Sequence, residues 1–147
     1  MKKVLFCVLS TCALFAGAIE IKEPYVKQTA PGMKNTAIFM EIVNTSDKTI
    51  KLINAKEHNL DGVTEIHTHI KQEDGSMKMI KISDITIKAN SSTHLKPKSY
   101  HIMVIGIKNE VKEETKANLT LYFDNGEEVT LKDIPSKAIK HQHHNHH

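Results

Sequence analysis

Residues 64–82, TEIHTHIKQEDGSMKMIKI, contain the pattern that decides the fold. Two short runs rich in isoleucine and threonine flank the pair Asp74-Gly75. β-Branched residues favour strands, and an Asp-Gly pair supplies the left-handed backbone conformation that a tight hairpin turn requires. The stretch therefore predicts a β-hairpin in which residues 64–71 pair with residues 77–82.

Similar runs recur on both sides of this hairpin, separated by turn residues. A second hairpin is predicted around Asn125-Gly126, and no long amphipathic helical pattern is present. Short strands at regular spacing are typical of an antiparallel sandwich or barrel. The chain is thus predicted to form one all-β domain over residues 19–135, with strands at 19–27, 36–44, 49–56, 64–71, 77–82, 86–89, 92–95, 101–107, 118–123 and 128–131.

The N-terminus has the pattern of a secretory signal peptide. Two lysines precede an apolar run over residues 4–17, and Ala16-Gly17-Ala18 is a small-x-small cleavage pattern. The run is shorter than the roughly 20 residues of a membrane-spanning helix. We therefore predict a signal peptide over residues 1–18, export to the periplasm and no membrane insertion after cleavage.

Both cysteines, Cys7 and Cys12, lie in the predicted signal peptide. Lipidation of either is disfavoured, because Phe6 and Thr11 precede them where a lipoprotein has a small residue. Cleavage would leave an exported chain without a thiol, which excludes disulfides, redox pairs and thiolate metal ligands.

Charge argues against nucleic-acid binding. The 20 basic residues are all lysine, they are balanced by 17 acidic residues, and they form no basic stripe. A nucleic-acid-binding surface would need a basic patch with aromatic residues or arginine forks.

The chain ends in KHQHHNHH, which places five of its ten histidines in the last seven residues. Residues 136–147 have too little apolar content to pack and are predicted to be a disordered tail. The tail is either a native metal binder or a solvated end or affinity tag without a role. Its candidate ligands are His141, His143, His144, His146 and His147.

Three predicted strands each carry a pair of metal-donor side chains two residues apart. Alternate residues of a strand share a face, and neighbouring strands lie about 4.8 Å apart, so side chains from these strands can converge on one ion. A lone methionine is more often a core filler, and a lone histidine is more often hydrogen-bonded or solvent-facing. The coincidence of three pairs favours a site: His67 with His69, Met77 with Met79, and His101 with Met103.

Ligand softness identifies the metal. Thioethers beside imidazoles, without a thiolate or a nearby carboxylate pair, favour Cu(I) over zinc. A blue-copper electron-transfer centre uses a cysteine sulfur, which the exported chain lacks. The pattern favours a protein that holds and passes on Cu(I).

Met79 is followed by twenty-one residues and then His101-Ile102-Met103. This spacing matches the second half of the motif of the periplasmic copper chaperones of the PCuAC, or copper-A, type, which the sequence resembles. The segments LKPKSYHIMVIGIK and PYVKQTAPGMKNTAIFMEIVNTSDK also resemble family segments. The resemblance covers roughly residues 21–135.

The resemblance implies a cupredoxin-like, Greek-key β-barrel or sandwich that acts as a monomer and is not an enzyme. It implies His67, Met79, His101 and Met103 as Cu(I) ligands. His69 stands where the family has methionine and is a competing ligand or a relay, whereas Met77 does not keep the twenty-one-residue spacing. The implied partner is a copper-accepting protein, either the copper subunit of cytochrome c oxidase or another chaperone, and the tail would take a second copper as Cu(II).

Three rivals remain. A copper-dependent oxidase or dismutase would need a ligand set suited to Cu(II) and a base near the metal. A structural or adhesive β-sandwich would use its methionines and histidines for ordinary packing. A secreted carrier could instead sequester Cu(II), nickel or zinc through its histidine tail.

Overall fold

The computed structural model describes residues 17–139, and every regular element in this part is a β-strand. No stretch of it forms a helix long and apolar enough to cross a membrane. The strands are β1 Ile19–Lys27, β2 Asn35–Asn44, β3 Ile50–Glu57, β4 Val63–Lys71, β5 Met77–Lys81, β6 Ile85–Ile87, β7 Ser91–Leu95, β8 His101–Ile105, β9 Ala117–Phe123, β10 Glu128–Ile134 and β11 Ser136–Lys137.

The strands form two sheets that pack as a sandwich. The larger sheet has seven strands in the order β11-β1-β2-β8-β4-β5, with β7 also paired to β2, and the smaller has four in the order β10-β9-β3-β6. Over the described residues, neither sheet closes on itself. The prediction allowed a barrel or a sandwich, and the chain forms a sandwich. All pairs are antiparallel apart from β1 and β11.

Both predicted hairpins are present. In the first, His69 lies opposite Met79 and Lys71 opposite Met77. In the second, β9 pairs with β10. Gly75 and Gly126 both have a φ of +88°, the left-handed conformation that glycine adopts without steric cost.

The ten predicted strands match β1 to β10, with ends that differ by a few residues. The largest difference is in β10, which continues past a register shift to Ile134. The eleventh strand was missed because it is two residues long. Ser136 and Lys137, the first residues of the predicted tail, pair with β1, and residues 140–147 of that tail lie outside the described part of the chain.

The core lies between the two sheets. In the larger sheet, Ile66, Ile102 and Val104 belong to one cluster of buried apolar residues, which the smaller sheet completes with residues such as Leu52 and Leu119. Because successive side chains of a strand point to opposite faces, the residues next to them in sequence point away from the core. His67, His101 and Met103 therefore lie on the outer face of the larger sheet.

Candidate metal centre

Strand register brings the predicted donors together on this outer face. β4 lies between β8 and β5, with His67 opposite His101 and His69 opposite Met79. Met103 lies two residues further along β8 than His101, opposite Glu65. Side chains from three strands are thus gathered by backbone pairing, which is more rigid than a loop.

The donors surround a pocket of about 580 Å³, whose lining includes His69, Met79, His101 and Met103. Phe39 and Ile139 are among its apolar wall residues. His101 is almost completely buried, at 3% exposure, whereas Met79 is 41% exposed. The pocket therefore combines a fixed imidazole with a thioether that solvent can reach.

The two nearest donors are His101 and Met79. The Nε2 atom of His101 lies 3.2 Å from the Sδ atom of Met79, and its Nδ1 atom lies 3.0 Å from the carbonyl oxygen of Ser99. That carbonyl can only accept, so Nδ1 carries the proton and Nε2 presents its lone pair to the sulfur. Two lone-pair donors then face each other across a gap suited to a cation.

The distance between these atoms fits a shared ion. With metal–nitrogen and metal–sulfur bonds of about 2.0 Å and about 2.3 Å, the values for zinc, a tetrahedral angle separates the ligand atoms by roughly 3.5 Å. Only a small side-chain movement would be needed.

Burial keeps the His101 ring neutral. Removal from water lowers its pKa below the ordinary value of 6.5, and the bond to Ser99 opposes this shift. The charges of His69, His67 and Lys27 lower the pKa further. A neutral imidazole is the form that binds metals.

His67 lies beside this pair, and its ring centroid is 5.7 Å from that of His101. Its Nε2 atom is 2.8 Å from a carboxylate oxygen of Glu65, and its Nδ1 atom is buried without a hydrogen-bond partner. Unpaired buried polar atoms are rare and costly. A metal ion bound to the lone pair of this nitrogen would supply the missing partner.

Glu65 holds its charge at this position. Its pKa is lowered chiefly by the hydrogen bond from His67, while partial desolvation opposes the shift and the charge of Lys81 adds to it. The ammonium of Lys81 is 3.6 Å from the carboxylate. The ionised carboxylate is a strong acceptor for a histidine N–H.

Not every predicted donor reaches the pocket. Met77 lies on the same face of β5 as Met79 but opposite Lys71, and it does not line the pocket. His67 does not line it either, although its ring adjoins that of His101. Within residues 17–139, no three His, Cys, Asp or Glu side chains form a metal-binding group by themselves. The five tail histidines and most of the predicted signal peptide lie outside the described residues.

Sequence reasoning missed two oxygen atoms that orient the histidines. Glu65 could have been found, because period-two spacing places it on the face of His67 and His69. The carbonyl of Ser99 could not, because it depends on how the turn before β8 folds back toward the rings.

Several solved structures share this fold. "Apo PCuAC domain from PmoF1" superposes with a TM-score of 0.70 at 20% identity, covering 84% of this chain and 96% of that one. "Copper-bound PCuAC domain from PmoF2" gives a TM-score of 0.66 at 21% identity, covering 82% and 93%. A solution structure of CuI-DR1885 from Deinococcus radiodurans gives 0.57 at 25% identity, covering 86% and 83%. The expected PCuAC fold is thereby confirmed.

Sequence relatives lie in two bacteria. "Uncharacterized protein RP573" of Rickettsia prowazekii (strain Madrid E) is 28% identical over 111 residues, which are 73% of this chain and 60% of the relative. "Putative lipoprotein Lxx21020" of Leifsonia xyli subsp. xyli is 30% identical over 111 residues, which are 76% of this chain and 65% of the relative. The chain thus spans less than two thirds of either relative. A protein-family model matches residues 19–135, nearly the whole sandwich, and the chain accordingly belongs to the family described as "Putative lipoprotein LpqE-like".

Proposed function

We propose that this protein is an exported copper carrier that holds one Cu(I) ion through His67, Met79, His101 and Met103 and passes it to an acceptor. One observation carries the proposal: the His101 Nε2 atom and the Met79 Sδ atom face each other at 3.2 Å, with the His101 proton held on the opposite nitrogen. Copper is the cargo of this pocket. The copper-bound PCuAC domain and the CuI-DR1885 structure support the choice of metal.

Release follows from the unequal exposure of the ligands. Imidazole and thioether add no charge, so Cu(I) is held by neutral donors that another protein's ligands can replace. The half-exposed Met79 is the first ligand that an acceptor can displace, and the buried His101 is the last. Copper can therefore leave by stepwise ligand exchange without entering water.

The acceptor we propose is the copper subunit of cytochrome c oxidase, or a second chaperone that supplies it. Support for this partner comes only from the resemblance to copper-A chaperones. Mixing the Cu(I)-loaded protein with the soluble domain of that subunit should produce the absorption of its binuclear copper centre. If no copper were transferred to that domain, the subunit would be excluded as the acceptor.

We further propose that residues 1–18 are a cleaved signal peptide, and that residues 19–135 work in the periplasm as a monomeric copper-binding domain. Mass spectrometry of the exported protein would find Ile19 at its N-terminus. A chain that begins at a lipid-modified Cys12 would replace this proposal with membrane anchoring.

The histidine tail is proposed to hold a second copper as Cu(II) close to the first site. Ile139, two residues before His141 in the sequence, lines the pocket, so copper bound by the tail would be tethered to the pocket and would raise the local copper concentration. Replacing the five tail histidines by asparagine should lower the copper stoichiometry and leave the Cu(I) affinity of the pocket intact. An equal loss of pocket affinity would contradict two separate sites.

Methionine-to-leucine substitutions test the Cu(I) site itself. Leucine has nearly the volume of methionine but no sulfur, so Met79→Leu and Met103→Leu should each weaken Cu(I) binding in competition with a chromophoric chelator. Met77→Leu is the matched control, because Met77 is on the same strand at 50% exposure. X-ray absorption of the Cu(I)-loaded protein should count two sulfur neighbours and lose one in each of the first two variants.

The rivals predict other outcomes. A structural or adhesive sandwich would bind Cu(I) equally well with and without the two sulfurs. A copper oxidase or dismutase would turn over substrate when loaded with copper. Binding only through the tail, including nickel or zinc, would disappear with the tail histidines.

A further inference from the structure

Three histidines lie at or beside the pocket, and each has an oxygen atom close to one ring nitrogen: His69 and His101 line the pocket, and the ring of His67 adjoins that of His101. The Nε2 atom of His67 is 2.8 Å from Glu65. The Nδ1 atoms of His69 and His101 lie 3.4 Å and 3.0 Å from the same carbonyl oxygen of Ser99. A carbonyl oxygen has two lone pairs and can accept from both rings.

This arrangement is the one that metal-binding histidines show in proteins. A ligating imidazole almost always donates its second ring N–H to a carboxylate or a backbone carbonyl, which sets the tautomer and the ring orientation. At His69, a proton on Nδ1 leaves the lone pair on Nε2. The carbonyl of Ser99 thus favours the same tautomer in His69 as in His101.

The position of His69 in the sheet also places it at the site. It lies directly opposite Met79 in the strand register, and it lines the pocket together with Met79, His101 and Met103. The ring centroids of His69 and His101 are 5.3 Å apart, slightly closer than the 5.7 Å between His67 and His101.

We propose that His69 is a third imidazole ligand, and that it allows the same pocket to hold Cu(II) as well as Cu(I). The inference rests on the proposed copper-carrier function. Imidazole nitrogen binds Cu(II) well, whereas thioether sulfur favours Cu(I). Three nitrogens with one or two sulfurs therefore stabilise both oxidation states in one place.

Charge supports the same conclusion. Cu(II) brings one more positive charge than Cu(I), and the ligands are neutral. The ionised Glu65, hydrogen-bonded to His67, offsets part of this charge through the imidazole. The pocket can thus keep copper bound when the ion is oxidised.

The test needs a protein whose tail does not bind copper. In the full-length parent for this experiment, the five tail histidines are replaced by asparagine, so bound Cu(II) reflects the pocket. His69→Met exchanges a nitrogen donor for a sulfur donor. His94→Met is the matched control, because His94 lies on the same sheet, is 60% exposed and contacts Glu41 at 3.3 Å, away from the pocket.

A one-electron potentiometric titration of bound copper measures the ratio of the two affinities. His69→Met should raise the ratio of Cu(I) to Cu(II) affinity at least tenfold over the parent, which corresponds to about 59 mV. His94→Met should leave the potential unchanged. An unchanged potential in His69→Met would overturn the inference.

Pulsed electron paramagnetic resonance on the parent loaded with Cu(II) is independent of how the variants fold. It should detect three imidazole nitrogens, and two or fewer would overturn the inference. A parent that binds Cu(I) but no Cu(II) would remove this inference and leave the proposed carrier function standing. A parent that binds neither ion would remove both.

Discussion

At the scale of single residues, the chemistry of the pocket depends on which nitrogen of each ring carries the proton. Ser99 holds the proton of His101 on Nδ1, so Nε2 faces Met79. Glu65 holds the proton of His67 on Nε2, so the buried Nδ1 keeps a lone pair. Two oxygen atoms outside the proposed ligand set thereby select the ring nitrogens that are free to bind a metal.

The first prediction concerns Glu65. Glu65→Leu removes the acceptor that orients His67, and the loss of such an outer hydrogen bond typically lowers metal affinity by about 10- to 100-fold. Competition with a chromophoric chelator would measure this fall in Cu(I) affinity. Nitrogen-15 spectra of the copper-free variant should show a mixture of His67 tautomers in place of one.

Glu41→Leu is the matched control, because Glu41 is similarly exposed on the same sheet and contacts His94, which is not a proposed ligand. Its Cu(I) affinity should equal that of the wild type. Equal losses in both variants would mean that the effect is general electrostatics and not ring orientation.

The second prediction concerns pH and His101. Its pKa in the folded, copper-free protein lies below 6.5 because the ring is buried. As the pH falls below 6.5 the unfolded chain takes up this proton and the folded chain does not, so the proton favours unfolding. The free energy of unfolding should therefore decrease from pH 7.5 to pH 5.5, as urea titrations would measure.

His101→Gln isolates this contribution, since glutamine does not titrate. The decrease over the same pH interval should be smaller in the variant than in the wild type. If the two decreases were the same, the burial of His101 would have no part in the pH dependence.

At the scale of elements, strand alternation decides which sulfur is available. β5 is a short strand at the edge of the larger sheet, and its residues Met77, Lys78 and Met79 are all exposed. Solvent exposure therefore does not distinguish the three residues. The face of the sheet does, because Lys78 points to the face opposite that of the two methionines.

The third prediction exchanges two neighbours without changing composition. The double substitution Lys78→Met and Met79→Lys moves one sulfur to the opposite face of the sheet, where it cannot reach His101. Cu(I) affinity should fall as far as it does in Met79→Leu, and X-ray absorption should count one sulfur fewer.

The control exchange is Met77→Lys with Lys78→Met, which keeps Met79 in place. It should bind Cu(I) like the wild type. Equal binding by both exchanged proteins would show that any methionine in this hairpin serves, and the register argument would then be wrong.

At the scale of the whole molecule, packing and chemistry occupy opposite faces of one sheet. Ile102 and Val104 are completely buried on the inner face, whereas His101 and Met103 on the same strand form the pocket outside. The core can therefore stabilise the sandwich without help from the proposed metal ligands.

The fourth prediction tests this separation. Ile102→Ala leaves a cavity between the sheets and should lower the free energy of unfolding by about 2–5 kcal/mol. Ile53→Ala, at a position that is 46% exposed, should change it by no more than about 0.5 kcal/mol. Urea unfolding of the copper-free proteins measures both, and similar losses would contradict the position of the core.

Most of the fold could be predicted because its signals are local. Ile, Val and Thr runs indicated ten of the eleven strands, and Asp74-Gly75 and Asn125-Gly126 indicated the two hairpins. β11 has only two residues and forms by a parallel pairing with β1, across more than a hundred residues of sequence. A contact of that kind leaves no local pattern.

The sequence by itself determined the all-β class, the ligand types and their period-two spacing, because these depend on residue identity and on the pleat of a strand. Only the tertiary structure decided that β4 lies between β8 and β5, and therefore which donors meet. It also decided which ring nitrogen of His101 and of His67 keeps its lone pair, because the acceptors on Ser99 and Glu65 are brought to the rings by folding. Long-range strand order and hydrogen-bond direction come from the packing of the whole chain, and no single segment contains them.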